Sequence, residues 1–261
     1  MTKYAPLKLH KHGAIALLIF NRPEVYNALD AETVTAALAL VRELQEDPNT
    51  RVILLSGAGK AFISGADIAE MHRKTPAQAR AYSALGRNLM SAIEQLSKPV
   101  VAAINGYCLG GGMEVALASD IRIASEKARF GLPETILGII PGWGALPRAT
   151  RLVGPAVTKE LIFTGDIIDA PRALEIGLIN QMVAHGDLMT RTMEIAGKIC
   201  RQSQFAIAQA KAVINASVDE ALPDACARET DGFVSCFENR DQKEGMQAFL
   251  EKREPRFEKG C

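Results

Sequence analysis

Three consecutive glycines, Gly110-Gly111-Gly112, stand between the apolar stretch Val100-Val101-Ala102-Ala103-Ile104 and the apolar stretch from Met113 to Ala118. Glycine loses more conformational entropy on folding than any other residue, so three in a row are kept where backbone must take φ > 0 or approach another group closely. A buried strand that turns tightly into a helix meets that requirement. The helix would direct its positive N-terminal end, with its unsatisfied N–H groups, at whatever lies beside the turn. An anion or a polarised carbonyl suits that place. A ligand-free connection is the competing, less favoured reading of the glycines alone. It does not explain Glu114, a carboxylate set among Met113, Val115 and Leu117, where burial is costly without a partner or a task.

The rest of the chain alternates strand and helix patterns. Residues 7–20, broken at Gly13, read as a hairpin whose second strand is buried. Asp30 is placed to cap a helix over Ala31–Glu46, with Val34, Leu38, Val41 and Leu44 on one face and Pro48 beyond its end. A strand over 51–56, an amphipathic helix over 76–96, a strand over 99–104, a helix over 113–118 and a strand over 120–124 follow. This spacing predicts an α/β chain with parallel pairing. Strand signals fade after about Gln181, and helices are expected over Leu188–Cys200, 205–216, 220–237 and 241–252. The expected division is a core over residues 1–190 carrying the site and a helical region over 191–261 that packs against a neighbouring copy.

Composition narrows the function. The 30 basic and 30 acidic residues cancel, so no overall field draws the chain to nucleic acid or to an anionic membrane. The longest strongly apolar run, residues 14–20, is far short of the ~20 residues that span a bilayer. Met1-Thr2-Lys3-Tyr4 leads into no signal-peptide core, and a cytoplasmic location is the expectation. Five cysteines (Cys108, Cys200, Cys226, Cys236, Cys261) without a C-x-x-C spacing read as reduced thiols. His10 and His12 share a strand face, but neither His72 nor His185 joins them in an obvious set, so no metal site is expected.

A second carboxylate stands in Phe130-Gly131-Leu132-Pro133-Glu134. Alone, it reads as the first turn of a helix, where an acidic residue after proline suits the dipole. The glycine-rich apolar segment Gly138-Ile139-Ile140-Pro141-Gly142-Trp143-Gly144 follows directly and reads as a wall around a ligand. Two carboxylates in one pocket can hold a water and move protons. Ser64-Gly65-Ala66 is expected to turn with its N–H groups inward, and Asp67 to cap the next helix. Gly57-Ala58-Gly59 opens like a dinucleotide fingerprint, yet Phe62 stands where the third glycine belongs. No Gly-x-Ser-x-Gly elbow exists, and Ser64, Asp67 and His72 make no convincing triad.

Taken in order, Arg22-Pro23 with Asn27-Ala28-Leu29, the run from Lys60 to Ile68, Asn105-Gly106 through Glu114, Ser119 to Ala124, Phe130 to Glu134, Gly138 to Gly142, Phe163-Thr164-Gly165 and Glu244 to Arg253 resemble the crotonase, or enoyl-CoA hydratase/isomerase, superfamily. The resemblance covers essentially the whole chain. It implies an α/β fold, a spiral of ββα repeats with a C-terminal helical trimerisation region, assembled as a homotrimer or homohexamer. It implies an acyl-CoA thioester as ligand, with coenzyme A part of the substrate and no separate cofactor. By the same resemblance Glu114 and Glu134 are the catalytic pair, and the backbone N–H groups of Ala66 and Gly111 form the oxyanion hole. Substrate contacts would come from Lys60, Ala66, Asp67, Ile68, Gly111 and Trp143, with Phe249 and Lys252 reaching a neighbour's coenzyme A.

The glutamate pair favours hydration of a 2-enoyl-CoA. Double-bond isomerisation, decarboxylation and a non-catalytic acyl-CoA- or RNA-binding subunit are the alternatives. Two departures stand out. Many hydratases follow Pro-Gly with Gly-Gly-Thr-Gln-Arg, whereas this chain reads Trp143-Gly144-Ala145-Leu146-Pro147-Arg148, leaving a ring, a branch or a linear chain open as the acyl group. Ala69 replaces a basic residue common after Gly-Ala-Asp-Ile.

Overall fold

The computed structural model describes residues 6–257; Met1-Thr2-Lys3-Tyr4 and Cys261, which entered the expectations about a leader and about thiols, lie outside the described residues. The chain opens with the antiparallel hairpin β1 (Leu7–His12) and β2 (Ile15–Phe20), Leu7 opposite Phe20. Helix α1 (Ala31–Glu46) follows, its first turn closed by the Asp30 carboxylate accepting from Thr33 N–H at 2.7 Å, its face of Val34, Leu38, Val41 and Leu44 buried.

Three ββα units then repeat. The first is β3 (Val52–Gly57), β4 (Ala61–Ile63), the single turn α2 (Ile68–Met71) and α3 (Pro76–Gln95). The second is β5 (Val100–Ile104), β6 (Tyr107–Leu109) and α4 (Gly111–Ala118). The third is β7 (Ile121–Ser125), β8 (Arg129–Gly131) and α5 (Ala145–Thr164), which kinks at Gly154-Pro155. The chain continues through β9 (Ile168–Asp169), α6 (Ala170–Glu175), β10 (Gln181–Val183) and the helices α7 (Leu188–Cys200), α8 (Gln204–Ser217), α9 (Leu222–Glu238) and α10 (Arg240–Leu250).

Each unit contributes one strand to each of two sheets, of order β1-β2-β3-β5-β7-β10 and β4-β6-β8-β9. From β2 to β10 the larger sheet is parallel, and its central strands are apolar on both faces, as a sheet covered on both sides requires. Ile53, Leu55, Ala102 and Ile104 point into the core under α1, α3 and α4. Val52, Leu54, Val101 and Ala103 point to the other face, which α7 closes with Leu188 and Ala196. Residue 190, where the sequence reading divides the chain, thus lies within a helix that covers the sheet. Helix α8 is tied to the sheet by Lys211, whose Nζ lies 2.8 Å from Asp120 and 3.2 Å from the Lys98 carbonyl.

Candidate active site

The repeat brings the loops after β4, β6 and β8 to one place. Ala66, in the loop after β4, forms an isolated parallel bridge with Leu29: Leu29 N–H donates to Gly65 C=O and Asp67 N–H to Leu29 C=O, each at 2.9 Å. The residue between those two bonds contributes neither of its own groups to them, so the Ala66 N–H faces away from Leu29. Gly111 meets it there, since a Cβ on Gly111 would lie 3.3 Å from the Ala66 nitrogen. Gly111 is also the first residue of α4, where an N–H has no acceptor within its own helix. Neither amide is a donor in the turn, loop or cap bonds of the described residues.

Two side chains hold this region, one at the loop that carries Ala66 and the other at the β3–β4 turn and strand β4 that lead into it. Arg22 ion-pairs with Asp30 at 2.8 Å and lies 3.5 Å from Asp67, which itself caps α2 by accepting from Glu70 N–H. Asn27, in the left-handed region at φ 59°, sends its side-chain N–H groups to the carbonyls of Ala58, Ala61 and Phe62 at 2.9, 2.8 and 3.2 Å.

The glycine run is required by contact as well as by conformation. Gly110 sits at φ 48°, and a Cβ there would lie 2.8 Å from Glu134 Oε1. A Cβ on Gly112 would lie 2.1 Å from the Ile63 carbonyl oxygen. Helix α4 begins at Gly111, two residues before the start expected at Met113, because the glycines supply its first turn. Both carboxylates are buried. Glu114 Oε1 accepts from Trp143 N–H at 2.7 Å and from Ala145 N–H at 3.2 Å. Burial pushes its pKa up to about 7; the two N–H bonds and Arg148 pull it down, while Glu134 pushes it further up. Glu134, in the turn Pro133–Leu137, is also raised by burial, and its Oε2 has no hydrogen-bond partner among the described residues.

The segment that supports Glu114 is pinned in turn. Ser83 Oγ donates to Gly142 C=O at 2.7 Å, and Arg148 Nη1 reaches Trp143 C=O and Gly144 C=O at 3.3 and 3.4 Å. Arg148 also forms a two-point pair with Glu94 of α3. Gly144 takes φ 108°, which turns the two N–H groups at 143 and 145 onto one oxygen.

The structure therefore gathers Glu114, Glu134, Ala66, Gly111 and Trp143. Asp67 borders the group as a helix cap; Lys60, on the β3–β4 turn, and Ile68 are exposed. Phe249 and Lys252 stand apart: α10 packs on α9, and Phe249, 82% exposed, projects from its end. Sequence reasoning missed Asn27, Ser83 and Arg148 as supports of the site, and Gly86, whose α-carbon abuts the Trp143 ring. Only Gly86 carried a signal, as a lone glycine inside a helical pattern, which usually has a packing reason.

Comparison with known proteins agrees with this architecture. The sequence pattern of the enoyl-CoA hydratase/isomerase family matches residues 10–260. The chain is 42% identical over 255 residues to the crotonyl-CoA hydratase of Syntrophomonas wolfei, covering 97% of this chain and 98% of that one. It is 43% identical over 246 residues to the short-chain-enoyl-CoA hydratase of Clostridium acetobutylicum, covering 94% of each. The crystal structure of enoyl-CoA hydratase from Bacillus anthracis shares the fold at a TM-score of 0.95 with 37% identity, over 98% of this chain and all of that one. The chain belongs to the enoyl-CoA hydratase/isomerase family. No helix among the described residues is long and apolar enough to cross a membrane.

Proposed function

We propose that the protein is an enoyl-CoA hydratase that adds water reversibly across the α,β double bond of a short-chain 2-enoyl-CoA, crotonyl-CoA being the first substrate to test. The observation that carries this reading is the meeting of two buried carboxyl groups with the adjacent, unused amides of Ala66 and Gly111. The names of the two relatives above support the choice of acyl length.

Two N–H bonds stabilise charge on Glu114, whereas Glu134 Oε2 accepts nothing and is a place for a proton. Burial raises both carboxyl groups and Glu134 raises Glu114 further, so the cost of a second charge favours one ionised and one protonated carboxyl. Glu114, ionised, takes a proton from water as the water oxygen bonds to the β-carbon. The π electrons move toward the thioester oxygen, where the Ala66 and Gly111 N–H groups meet the developing charge. Glu134 delivers its proton to the α-carbon. Transfer of the proton from Glu114 to Glu134 then resets the pair.

Leu222, Phe233, Phe249 and Leu250 leave α9 and α10 with exposed apolar surface, which fits the expected trimer or hexamer. In that assembly Phe249 and Lys252 serve a neighbour's coenzyme A, Lys60 and Ile68 border the chain's own, and the enzyme works in the cytoplasm. The direct test is Glu114→Gln and Glu134→Gln, assayed by loss of enoyl absorbance. Each is expected to lose about 10²–10⁴-fold in kcat, the usual worth of a positioned acid or base. Hydration at the wild-type rate by either variant would overturn the scheme. Product mass separates the alternatives, because only hydration adds a water.

A further inference from the structure

Gly86 occupies the interior of α3, where glycine is a poor helix former. Its reason for being there is Trp143. A Cβ on Gly86 would lie 2.2 Å from indole Cδ2 and Cε2 and 2.3 Å from Cδ1, distances no side chain can occupy. The indole cannot slide aside to admit one. It is 3% exposed, with the Tyr82 ring 5.2 Å away between centroids and its far edge, Cζ3, 2.9 Å from where a Gly111 Cβ would stand. The backbone around the indole is fixed at Gly142 by Ser83 and at Trp143 and Gly144 by Arg148. Tyr82, Ser83 and Gly86 lie within about one turn of α3, so one helix face sets both the ring and the chain that bears it.

We propose that Gly86 is a positioning residue for Glu114: its bare α-carbon seats the Trp143 indole, and the seated indole fixes the peptide whose N–H holds the Glu114 carboxylate. The proposal rests on the reading of Glu114 as the base. Crowding at residue 86 is relieved by moving the ring, and a ring confined on three sides passes the movement to its own backbone. The bond at risk is Trp143 N–H to Glu114 Oε1, at 2.7 Å the shorter of the two that hold this carboxylate. The ionisable groups that act on Glu114 are Glu134, from the turn after β8, and Arg148, from α5, paired to Glu94 of α3. Residue 86 bears no charge, so substitution there alters none of them directly.

The test is Gly86→Ala, assayed as the assembled enzyme with crotonyl-CoA. At neutral pH, loss of one charge-assisted hydrogen bond to the ionised carboxylate predicts a fall in kcat of about 10- to 100-fold, larger than any change in KM. The acid limb of the kcat–pH profile moves to higher pH, and so does the titration of the Glu114 side-chain carboxyl followed by ¹³C NMR. In a Trp143→Ala background, with no ring to displace, Gly86→Ala changes kcat by less than about twofold.

An unchanged kcat and acid limb, or an equal loss in both backgrounds, would overturn the proposal. Should Gly86→Ala fail to fold, Trp143→Ala alone decides, since it unseats the peptide without crowding: its acid limb is expected to rise, and an unmoved limb refutes the idea. Glu114→Gln keeps the two readings apart. A fully active Glu114→Gln removes the base assignment, while the ¹³C titration of Gly86→Ala still reports whether the seat acts on the carboxyl.

Discussion

Replacing Glu114 with Gln is expected to stabilise the protein at alkaline pH while removing its activity. Burial raises the Glu114 pKa from 4.5 to about 7. Between those values the folded state binds a proton that the unfolded chain releases, so stability is greatest below the unfolded pKa and falls as pH rises through the folded one. A shift of this size is worth about 3 kcal/mol at 1.36 kcal/mol per unit, all of it a cost to the folded state at pH 8. An amide of the same shape carries no such pH-dependent cost, and its oxygen can still accept from Trp143 and Ala145. Any penalty for the new NH₂ group is the same at every pH and cancels in the comparison. Thermal unfolding of wild type and variant at pH 5 and pH 8 reads the difference. At roughly 2–4 °C per kcal/mol for a chain of this size, the variant's Tm relative to wild type should rise by about 5–10 °C between the two conditions. A relative Tm that stays constant across this range, or falls, would refute the view of Glu114 as a carboxylate ionised against its surroundings.

Three further outcomes are expected. With Glu114 acting as an ionised base, kcat/KM should climb about tenfold per pH unit on the acid side and level off above about 7, measured with crotonyl-CoA well below KM; a profile flat from pH 5 to 8 contradicts this. Gly112→Ala places a methyl 2.1 Å from the Ile63 carbonyl oxygen, a backbone atom unable to yield, and should cost at least about 1–3 kcal/mol as overpacking, read by urea unfolding. Asn27→Asp turns the donor shared by three carbonyls into an acceptor facing them, and should cost at least about 1–3 kcal/mol, with kcat falling because strand β4, which leads into the Ala66 loop, loses its anchor.

How much of this was legible in the sequence depends on length and on contact. The hairpin, α1, α3 and the three long strands of the larger sheet were readable because each repeats an apolar period over five residues or more. Strands β4, β6 and β8 are three residues each and carry no usable period, so the second sheet went unread although it aligns the site loops. Glu114 and the glycine run were visible because each violates a local preference within its own segment. Ser83 and Arg148 violate none: one is an ordinary helix residue, the other an ordinary arginine, and only the folded neighbourhood makes them supports.

The same distinction explains why the site can be built from so few unusual residues. A carboxylate whose ionisation is pushed toward neutrality must still be held in place, and here the holding is done by main chain, at Trp143 N and Ala145 N. Main-chain donors need no particular side chain, so the constraint passes to whatever fixes the loop: a serine on its carbonyl, an arginine on two more, and a glycine that leaves room for one indole. Of these only the glycine is locally unfavourable, and a residue that loses its local preference without touching substrate is where a sequence points to support of a site. Gly86 and Gly112 meet that description, one through a ring and one through a carbonyl. Their substitution should therefore separate, the first chiefly in turnover and its pH dependence, the second chiefly in stability.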